Sequence, residues 1–263
     1  LSIRLQRQMC IRDRIYKFYE YLSSIFMPFQ QINQLVNSKN NVAHHYDINE
    51  DLYKLFLDKD MQYSCAYFHN PNISLEQAQK DKKEHIIRKL QIDKNMSVLD
   101  IGCGWGGMAI EIAKSTGAKV KGITLSENQF KTASERAQKE GLSDKVTFAL
   151  QDYRNETEKY DRIVSVGMFE HVGVKYFKTY LSKANDILKE NGVFLLHTIG
   201  QRSKPTATSP WIRKYIFPGG YIPSLSEVMN ETQKLNINVT DVEVLRLHYA
   251  HTCLLYTSDA ADE

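Results

Sequence analysis

The sequence is poor in the residues that mark several classes of protein. Its four cysteines form no CxxC pair and show no zinc-ligand spacing, so we expect neither a disulfide scaffold nor a zinc site. Only 13 glycines and 6 prolines occur among 263 residues, which excludes collagen-like and low-complexity chains. No apolar run approaches the roughly 18 residues of a membrane-spanning helix, and no apolar signal segment stands near the start. These absences predict a cytoplasmic protein with free thiols.

Neither sign of charge dominates. Lysine and arginine number 34 against 31 aspartates and glutamates, which gives a net charge of +3. This balance gives no indication of nucleic-acid binding, although it is compatible with an anionic lipid surface. With 42% hydrophobic residues, the chain can build one large domain with an appendage.

From about residue 96 the sequence alternates between short β-branched runs and amphipathic segments. We predict strands over 96–101, 118–124, 145–150, 160–166, 192–199 and 239–247, and helices over 74–90, 108–115, 126–140, 175–190 and 224–235. Ser74 and Ser126 are each followed three residues later by glutamine, which predicts capping boxes. Alternation of this kind is typical of parallel strands with crossover helices. The predicted fold class is α/β, a doubly wound Rossmann-like sheet.

A glycine-rich segment, Asp100-Ile-Gly-Cys-Gly-Trp-Gly-Gly, joins the first predicted strand to the next helix. Its glycines suit a tight turn that lets backbone approach a ligand at the carboxyl edge of the sheet. The GxGxxG pattern that it contains is a weak indicator of a dinucleotide. A pyrophosphate at the helix start would lie near the negative Asp100, whereas S-adenosylmethionine has no phosphate and carries cationic groups. The carboxylate therefore favours S-adenosylmethionine.

Two further parts of the chain have two interpretations each. Asp152, with Tyr153 beside it, follows the third core strand and either accepts a hydrogen bond from an adenine amino group or caps a turn. Residues 15–36 are rich in tyrosine, phenylalanine and isoleucine with few charges, as in a packed arm or a membrane-interface helix.

Residues 201–223 contain four prolines and a Gly-Gly pair, which predicts a long loop or lid. Its basic and aromatic residues either contact phosphate headgroups or form a solvated basic loop. These residues are Lys204, Trp211, Arg213, Lys214 and Phe217.

Several segments together resemble the cyclopropane-fatty-acyl-phospholipid synthases and the related mycolic acid cyclopropane synthases. They are NNVAHHYDIN (40–49), MQYSCAYF (61–68), VLDIGCGWGG (98–107), GITLSENQ (122–129), DRIVSVGMFEHVG (161–173), LLHTIG (195–200) and IRKYIFPGGYIPS (212–224). The glycine loop alone would indicate only a methyltransferase; the combination is specific. The resemblance implies a class I S-adenosylmethionine methyltransferase fold. It also implies methyl transfer to the cis double bond of an unsaturated phospholipid chain, then proton loss from a carbocation and ring closure.

The resemblance also implies a set of site residues. The positions similar to the family's cofactor contacts are Tyr46, Tyr63, Ser64, Asp100, Gly102, Cys103, Gly104, Gly106, Thr124, Leu125, Ser126, Gln129, Asp152 and Tyr153. The positions that match its bicarbonate cage, the bicarbonate serving as base, are Cys65, Glu170, His197, the backbone of Ile199, and Tyr249.

From the residues alone, three of these positions have structural interpretations as well. His197 also fits a satisfied core histidine, Glu170 with His171 a helix start, and Cys65 a buried apolar residue. His44 and His45 have no second ligand pair at suitable spacing, so we expect no metal.

The chemistry requires a dry, aromatic-lined channel, because water would trap the carbocation as an alcohol. We therefore expect one cavity to join the glycine turn to Glu170 and His197. We expect Cys65 to line it rather than act as a nucleophile. The expected partner is unsaturated phospholipid at the inner membrane face, where the protein would be peripheral; no nucleic acid is expected, and the full-length parent would be a candidate homodimer.

Alternatives to ring formation stay open. One is a related methyltransferase that leaves a methyl branch or methylates an amine; another is an inactive cofactor-binding or lipid-binding module.

The ends of the sequence, 1–14 and 253–263, resemble translated adapter or vector sequence. We expect a helical arm and cap over 15–95 and a methyltransferase domain over 96–252, cut short after Tyr249.

Overall fold

The computed structural model describes residues 50–206, 208 and 219–258, and the account below concerns these residues. Five parallel strands form one sheet in the order β3-β2-β1-β4-β5. The strands are β1 (Ser97–Ile101), β2 (Lys119–Thr124), β3 (Val146–Leu150), β4 (Tyr160–Val166) and β5 (Leu188–His197). The helices are α1 (Glu50–Phe56), α2 (Leu75–Leu90), α3 (Gly107–Thr116), α4 (Glu127–Lys139), α5 (Phe177–Asp186), α6 (Leu225–Lys234) and α7 (Arg246–Ser258). The α/β prediction is confirmed.

Both faces of the sheet are covered because apolar residues alternate along its strands. Val98 of β1 packs with Ile86 of α2 and Ile112 of α3 on one face. The next residue, Leu99, packs with Tyr180 of α5 on the opposite face. Successive strand side chains point to opposite faces, so one short apolar run contributes to two cores. This burial on both faces is what makes the sheet doubly wound.

Helix caps set where several helices begin. The Ser74 hydroxyl accepts from the Gln77 amide at 3.2 Å and the Ser126 hydroxyl from the Gln129 amide at 3.2 Å, as predicted for the serine half of each box. The Gln129 side chain accepts from the Thr124 hydroxyl at 2.8 Å, which ties the start of α4 to the end of β2. A full capping box is present at Ser224, the start of α6.

Two predicted elements are corrected by the structure. The helix predicted over 175–190 ends at Asp186, and β5 already begins at Leu188. Asn191 adopts a left-handed φ of 59°, and the register between β4 and β5 shifts between Tyr160 and Arg162. The segment 188–191 is therefore an irregular start of the strand. Its charged residues at 189 and 190 are typical of a helix end, and for this reason the sequence predicted helix there.

The strand predicted over 239–247 is wrong. Residues 236–245 pair with no strand of the described sheet, and α7 begins at Arg246. Glu243 binds His85 of α2 at 2.7 Å, and Asp241 forms an ion pair with Lys89 of the same helix. Val244 is 76% exposed, so the apolar positions of this segment have no core to face. Ion pairs with α2, and not hydrogen bonds to a neighbouring strand, hold this segment in place.

Helix α7 crosses the boundary expected at residue 252. Tyr256 donates to the carbonyl of Gln62 at 2.9 Å, and its ring packs at 5.8 Å from that of Phe56 of α1. Residues on both sides of position 252 thus belong to one helix, and the expected domain bounds stay a prediction. Among the residues described, none of the helices is both long and apolar enough to span a bilayer.

Several expectations lie outside the described residues. They concern Tyr46, His44 and His45, the segments 1–14 and 15–36, and the lid residues Trp211, Arg213, Lys214 and Phe217. The two ends of the predicted lid do meet, since the Gln201 amide donates to the Pro223 carbonyl at 2.9 Å and Gln201 bridges Ser224.

Candidate functional site

The glycine turn after β1 has a conformation that only glycine adopts without strain. Gly102, Gly104 and Gly106 have φ values of 77°, 53° and 84°. A Cβ on Gly102 would lie 2.7 Å from Met168. The Gly102 amide donates to the Ile123 carbonyl at 2.9 Å, which fixes the turn to β2. The sequence folds locally in this way because left-handed backbone and close approach both require the missing side chain.

A cavity lies beside this turn at the carboxyl ends of the strands, where ligands bind in open α/β sheets. Its lining comprises residues 61–64, 100–105, 108, 123–125, 129, 151–154, 166–168, 171 and 172. Most of the expected cofactor contacts are among them: Tyr63, Ser64, Asp100, Gly102, Cys103, Gly104, Thr124, Leu125, Gln129, Asp152 and Tyr153. The topology thus brings five distant parts of the sequence to one place.

Gly106 and Ser126 are not among the residues that line this cavity. Gly106 precedes α3, and a Cβ there would lie 2.7 Å from Phe148. Ser126 caps α4. Both residues hold helix starts in place around the cavity.

Sequence reasoning missed some of the lining, including Met61, Gln62, Arg154, Gly167 and His171. Met61, Gln62 and Arg154 are sequence neighbours of expected contacts, so adjacency is the signal that could have found them. Gly167 and His171 follow β4, whose carboxyl end lies at the same sheet edge as the glycine turn.

Asp100 is a buried carboxylate in the cavity wall. The residue is 2% exposed, and its Oδ2 has no hydrogen-bond partner. Burial raises its pKa to about 7, while the charge of Lys82 acts in the opposite direction. A buried carboxylate with an open oxygen is costly unless a cation meets it. The position therefore fits a ligand with a positive group, as S-adenosylmethionine has.

Asp152 is already engaged within the chain. Its carboxylate accepts from the Arg154 amide at 2.9 Å and binds the Arg154 side chain at 2.8 and 2.7 Å. It therefore caps the short 3₁₀ helix Tyr153–Asn155, as the turn-capping interpretation holds. An additional role toward adenine stays a prediction. Burial raises the pKa of Tyr153 to about 12, so this phenol stays protonated.

Glu170 follows β4 and His197 ends β5, both at the carboxyl edge of the sheet. Glu170, in the 3₁₀ helix Phe169–His171, accepts from the Ile199 amide at 2.6 Å. His197 pairs in register with Val166, and its carbonyl accepts from the Gly167 amide at 2.9 Å. Oε2 of Glu170 and Nδ1 of His197 are both buried without a hydrogen-bond partner. Other buried side-chain atoms without a partner among the described residues are Oδ2 of Asp100, Oε1 of Gln79, the hydroxyls of Tyr160 and Tyr180, and Nε2 of Gln201.

Burial sets the protonation of both groups. It lowers the pKa of His197 to about 4, with the charge of Lys82 acting in the same direction, so the imidazole is neutral at neutral pH. It also raises the pKa of Glu170, against the hydrogen bond from the Ile199 amide. A neutral imidazole and a basic carboxylate suit proton exchange better than their charged and acidic counterparts.

The expected continuous cavity is not found among the described residues. Val166, Gly167 and His171 line the cavity beside the turn, but Glu170 and His197 do not. His197 lies on β5, one strand beyond the lining residue Val166 of β4.

Cys65 and Tyr249 lie at the contact between α7 and the segment after Ser64. The Ala66 amide donates to the Thr252 hydroxyl at 3.0 Å and the Phe68 amide to Nδ1 of His248 at 2.8 Å. Burial raises the pKa of Cys65 to about 11, so this thiol is unreactive at neutral pH. Tyr249 is 40% exposed. No group of three or more potential metal ligands occurs among the described residues.

A family model for mycolic acid cyclopropane synthetase matches residues 33–260. The chain belongs to this family. The membership confirms the family inferred from the sequence motifs, and the family match continues past residue 252.

Known members of the cyclopropane synthetase family show how far the similarity extends. A cyclopropane-fatty-acyl-phospholipid synthase of Escherichia coli (strain K12) is 49% identical over 189 residues, which cover 72% of this chain and 48% of that protein. A probable fatty acid methyltransferase of Pseudomonas putida is 43% identical over 218 residues, 80% of this chain and 55% of that protein. The chain thus spans about half the length of these curated relatives.

A solved structure supports the fold. Mycolic acid cyclopropane synthase CmaA1, crystallised with SAH and CTAB, superimposes with a TM-score of 0.80 at 33% sequence identity, over 85% of this chain and 83% of that one. The doubly wound sheet is therefore the fold of the family.

Proposed function

We propose that this chain is an S-adenosylmethionine-dependent methyltransferase that converts the cis double bond of an unsaturated phospholipid acyl chain into a cyclopropane ring. The observation that carries the proposal is the buried, unpartnered oxygen of Asp100 beside the glycine turn of a cyclopropane synthetase family member. The synthase from Escherichia coli, named for this product, is the relative that supports the substrate class.

The cavity beside the glycine turn is the proposed cofactor site. Asp100 would hold a cationic group, and the donors and acceptors of Ser64, Thr124 and Gln129 would hold the remainder. When bound, S-adenosylmethionine supplies an electrophilic methyl group. The SAH complex of CmaA1 supports a cofactor of this type.

The rest of the lining serves to exclude water. Met61, Trp105, Met108, Met168 and Val172 present apolar surface to the cavity. Since an alkene cannot be activated by deprotonation, alignment and a dry environment are the contributions that the protein can make. Apolar walls also protect a substrate carbocation from attack by water.

Glu170 and His197 are the proposed proton-handling pair. Their orphaned atoms fit a small hydrogen-bonding anion such as bicarbonate, which would act as the base. The Ile199 amide already donates to Glu170, so in this arrangement it orients the carboxylate. Because neither Glu170 nor His197 lines the cofactor cavity, the proposal requires the residues between them and the cavity to rearrange when substrate enters.

We also propose that the protein works at the inner face of the membrane, where its phospholipid substrate lies, and that Cys65 and Tyr249 complete the lining near α7. A homodimer stays a prediction.

The test is incubation of the purified chain with S-adenosylmethionine and vesicles of cis-unsaturated phospholipid, followed by mass analysis of the acyl chains. Ring formation is the expected result, with saturated phospholipid vesicles as the control. Without a reductant, a branched product can form here only as an alkene, by loss of a proton without ring closure, and its mass equals that of the ring product. Mild catalytic hydrogenation before the mass analysis separates the two, and a product that gains two hydrogens in this step would overturn ring closure. Cofactor binding without any product would favour a binding module, and absence of cofactor binding by calorimetry would overturn the proposal altogether.

A further inference from the structure

Lys82 of α2 is a buried lysine whose donors go to neutral side chains. It is 2% exposed, and its Nζ donates to Oε1 of Gln62 at 2.8 Å and to Oγ of Ser64 at 2.7 Å. Both acceptors line the cofactor cavity, whereas Lys82 does not. Lysine is almost never fully buried unless it is paired, because removal of its charge from water is costly. A position of this kind calls for an explanation.

The neighbouring Lys83 has an ordinary explanation that Lys82 lacks. Lys83 forms ion pairs with Asp60 at 2.6 Å and Glu111 at 3.7 Å. Among the described residues, no carboxylate lies within ion-pair distance of Lys82. Asp58, the acidic group whose charge acts most strongly on Lys82, accepts instead from the Gln62 amide at 2.7 Å. Charge pairing therefore accounts for Lys83 and not for Lys82.

The backbone of the same segment is held by other groups. The Gln79 side chain donates to the carbonyls of Gln62 at 3.1 Å and Ser64 at 3.0 Å, and the Tyr256 hydroxyl bonds the same two carbonyls. These bonds fix the path of residues 62–64 without Lys82. What Lys82 adds is control of the two side chains.

Lys82 determines which hydrogen-bonding groups of the side chains that it contacts can still donate. A serine hydroxyl has one donor and two acceptor positions, and a glutamine amide has separate accepting and donating ends. Because Lys82 occupies an acceptor position of Ser64, the Ser64 O–H is left to donate, whereas the amide nitrogen of Gln62 lies beside Gly107 and the Asp60 carboxylate. Ser64 lines the cavity, so its hydroxyl is available as a donor to an anionic group.

We propose that Lys82 is a positioning residue that turns the Ser64 hydroxyl into a hydrogen-bond donor for the carboxylate of the amino-acid part of S-adenosylmethionine. This inference rests on the proposed function. The ligand is a zwitterion with additional positive charge on sulfur, so the cavity would meet its negative end with a donor backed by Lys82 and a positive group with Asp100. The charge of Lys82 also opposes the rise of the pKa of Asp100, which helps keep that carboxylate ionised.

Burial gives Lys82 a second, measurable property. Its pKa is lowered to about 8 by burial, so it loses its proton just above neutral pH. The groups whose charge it senses or acts on are Asp58, Asp60, Cys65, Lys83, Asp100 and His197. Deprotonated Lys82 can accept a hydrogen bond from Ser64 and so reverses the direction of that hydrogen bond. Cofactor affinity is therefore expected to fall as pH rises through about 8.

The test compares S-adenosylmethionine affinity, measured by calorimetry on the full chain, for Lys82→Met, Ser64→Ala and the double variant. Loss of a hydrogen bond to a charged group weakens binding by roughly 10- to 100-fold. We expect a loss of this size for Lys82→Met and little further loss when Ser64→Ala is added, because both act through one interaction. Lys83→Met is the matched control, expected to lower stability while affinity is kept.

Each result decides between the two proposals. If the unsubstituted chain binds no S-adenosylmethionine, the proposed function and this inference both fail. If it binds and Lys82→Met retains its affinity, or the two losses simply add, only the inference is overturned. Should Lys82→Met fail to fold, Lys82→Arg decides, because arginine keeps its proton while the ligand's own α-amino group titrates at about pH 8 in both cases. The unsubstituted chain is expected to lose more affinity between about pH 7 and about pH 9 than Lys82→Arg does, and equal losses contradict the proposed role.

Discussion

Asp100→Asn is expected to stabilise the fold while it weakens cofactor binding. Aspartate has an ordinary pKa of 3.8, and in the folded chain burial raises the pKa of Asp100 to about 7. The folded state therefore holds a proton that the unfolded state has lost over the range from about pH 4 to about pH 7. By linkage, the free energy of unfolding falls as pH rises through this window and stays low above it.

The size of the effect follows from the same two pKa values. Each tenfold change in an acid constant is worth about 1.4 kcal/mol, so the ionised carboxylate destabilises the fold by about 4 kcal/mol above pH 7. Asparagine removes this term but places an amide donor in the same buried site, which costs about 1–3 kcal/mol if it stays unpaired. The expected net gain at about pH 8 is about 1–3 kcal/mol.

Urea unfolding followed by circular dichroism measures this gain. The decisive quantity is the difference in free energy of unfolding between variant and unsubstituted chain, in which other titrating groups cancel. This difference should grow between about pH 4 and about pH 7 and stay constant above that range. Asp161→Asn is a control of opposite sign. Although burial acts against it, hydrogen bonds from Lys189 and Ser97 lower the pKa of Asp161 to about 2, so its loss should destabilise the fold at neutral pH.

A stability difference that does not change with pH would refute the account of Asp100. So would undiminished S-adenosylmethionine affinity in Asp100→Asn, since the same carboxylate is expected to recover its desolvation cost when it meets a cation.

Three further predictions test other parts of the site. Glu170→Gln and His197→Ala are each expected to lose turnover on unsaturated vesicles while calorimetric affinity for S-adenosylmethionine is kept; near-normal turnover in both would remove them from the mechanism. Gly102→Ala is expected to lower the free energy of unfolding by about 2 kcal/mol or more, since a Cβ there lies 2.7 Å from Met168, whereas Gly104→Ala, with nothing within 4 Å, should lose only about 1 kcal/mol for its left-handed φ. Cys65, with a pKa raised by burial to about 11, is expected to react with iodoacetamide only once denaturant opens the fold; rapid labelling in the native state, followed by peptide mass analysis, would contradict its placement.

The sheet was predictable because its signals are local. Apolar β-branched runs gave β1 to β4 within about one residue of their observed bounds, and the serine caps marked the starts of α2 and α4. The turn after β1 was predictable for the same reason, since three glycines within five residues fit few other conformations.

The strand expected over 239–247 failed because a strand is defined by a partner. Alternating valines predicted it, but the acidic residues between them, Asp241 and Glu243, find basic partners on α2, more than a hundred residues earlier in the chain. No local pattern reveals such pairing. The start of β5 was misjudged for a related reason, because its irregular register depends on contacts with β4.

At the site, the motif resemblance identified most of the residues that line the cavity. It did not show that Glu170 and His197 lie outside the lining, because that depends on how β4 and β5 pair and on which way each side chain points. Lys82 was missed since a lysine in a charged amphipathic helix predicts a solvated position; only the fold shows that it is buried beneath Ser64.

Asp100 and Lys82, the two buried charged residues beside the cavity, form no ion pair with each other. On the proposed function, each is instead compensated by a group of opposite charge on the ligand. Burial moves the pKa of Asp100 up to about 7 and that of Lys82 down to about 8, so each is close to losing its charge in the unliganded chain. A zwitterionic ligand with an added positive charge would meet both and restore both charges. Affinity for S-adenosylmethionine should therefore peak between about pH 7 and about pH 8 and fall several-fold by about pH 6 and about pH 9, with Lys82→Arg extending the alkaline side because arginine keeps its proton. Burial of the two unpaired charges lowers the free energy of unfolding. Because only a ligand with both signs of charge compensates both residues, the same burial makes the site selective for such a ligand.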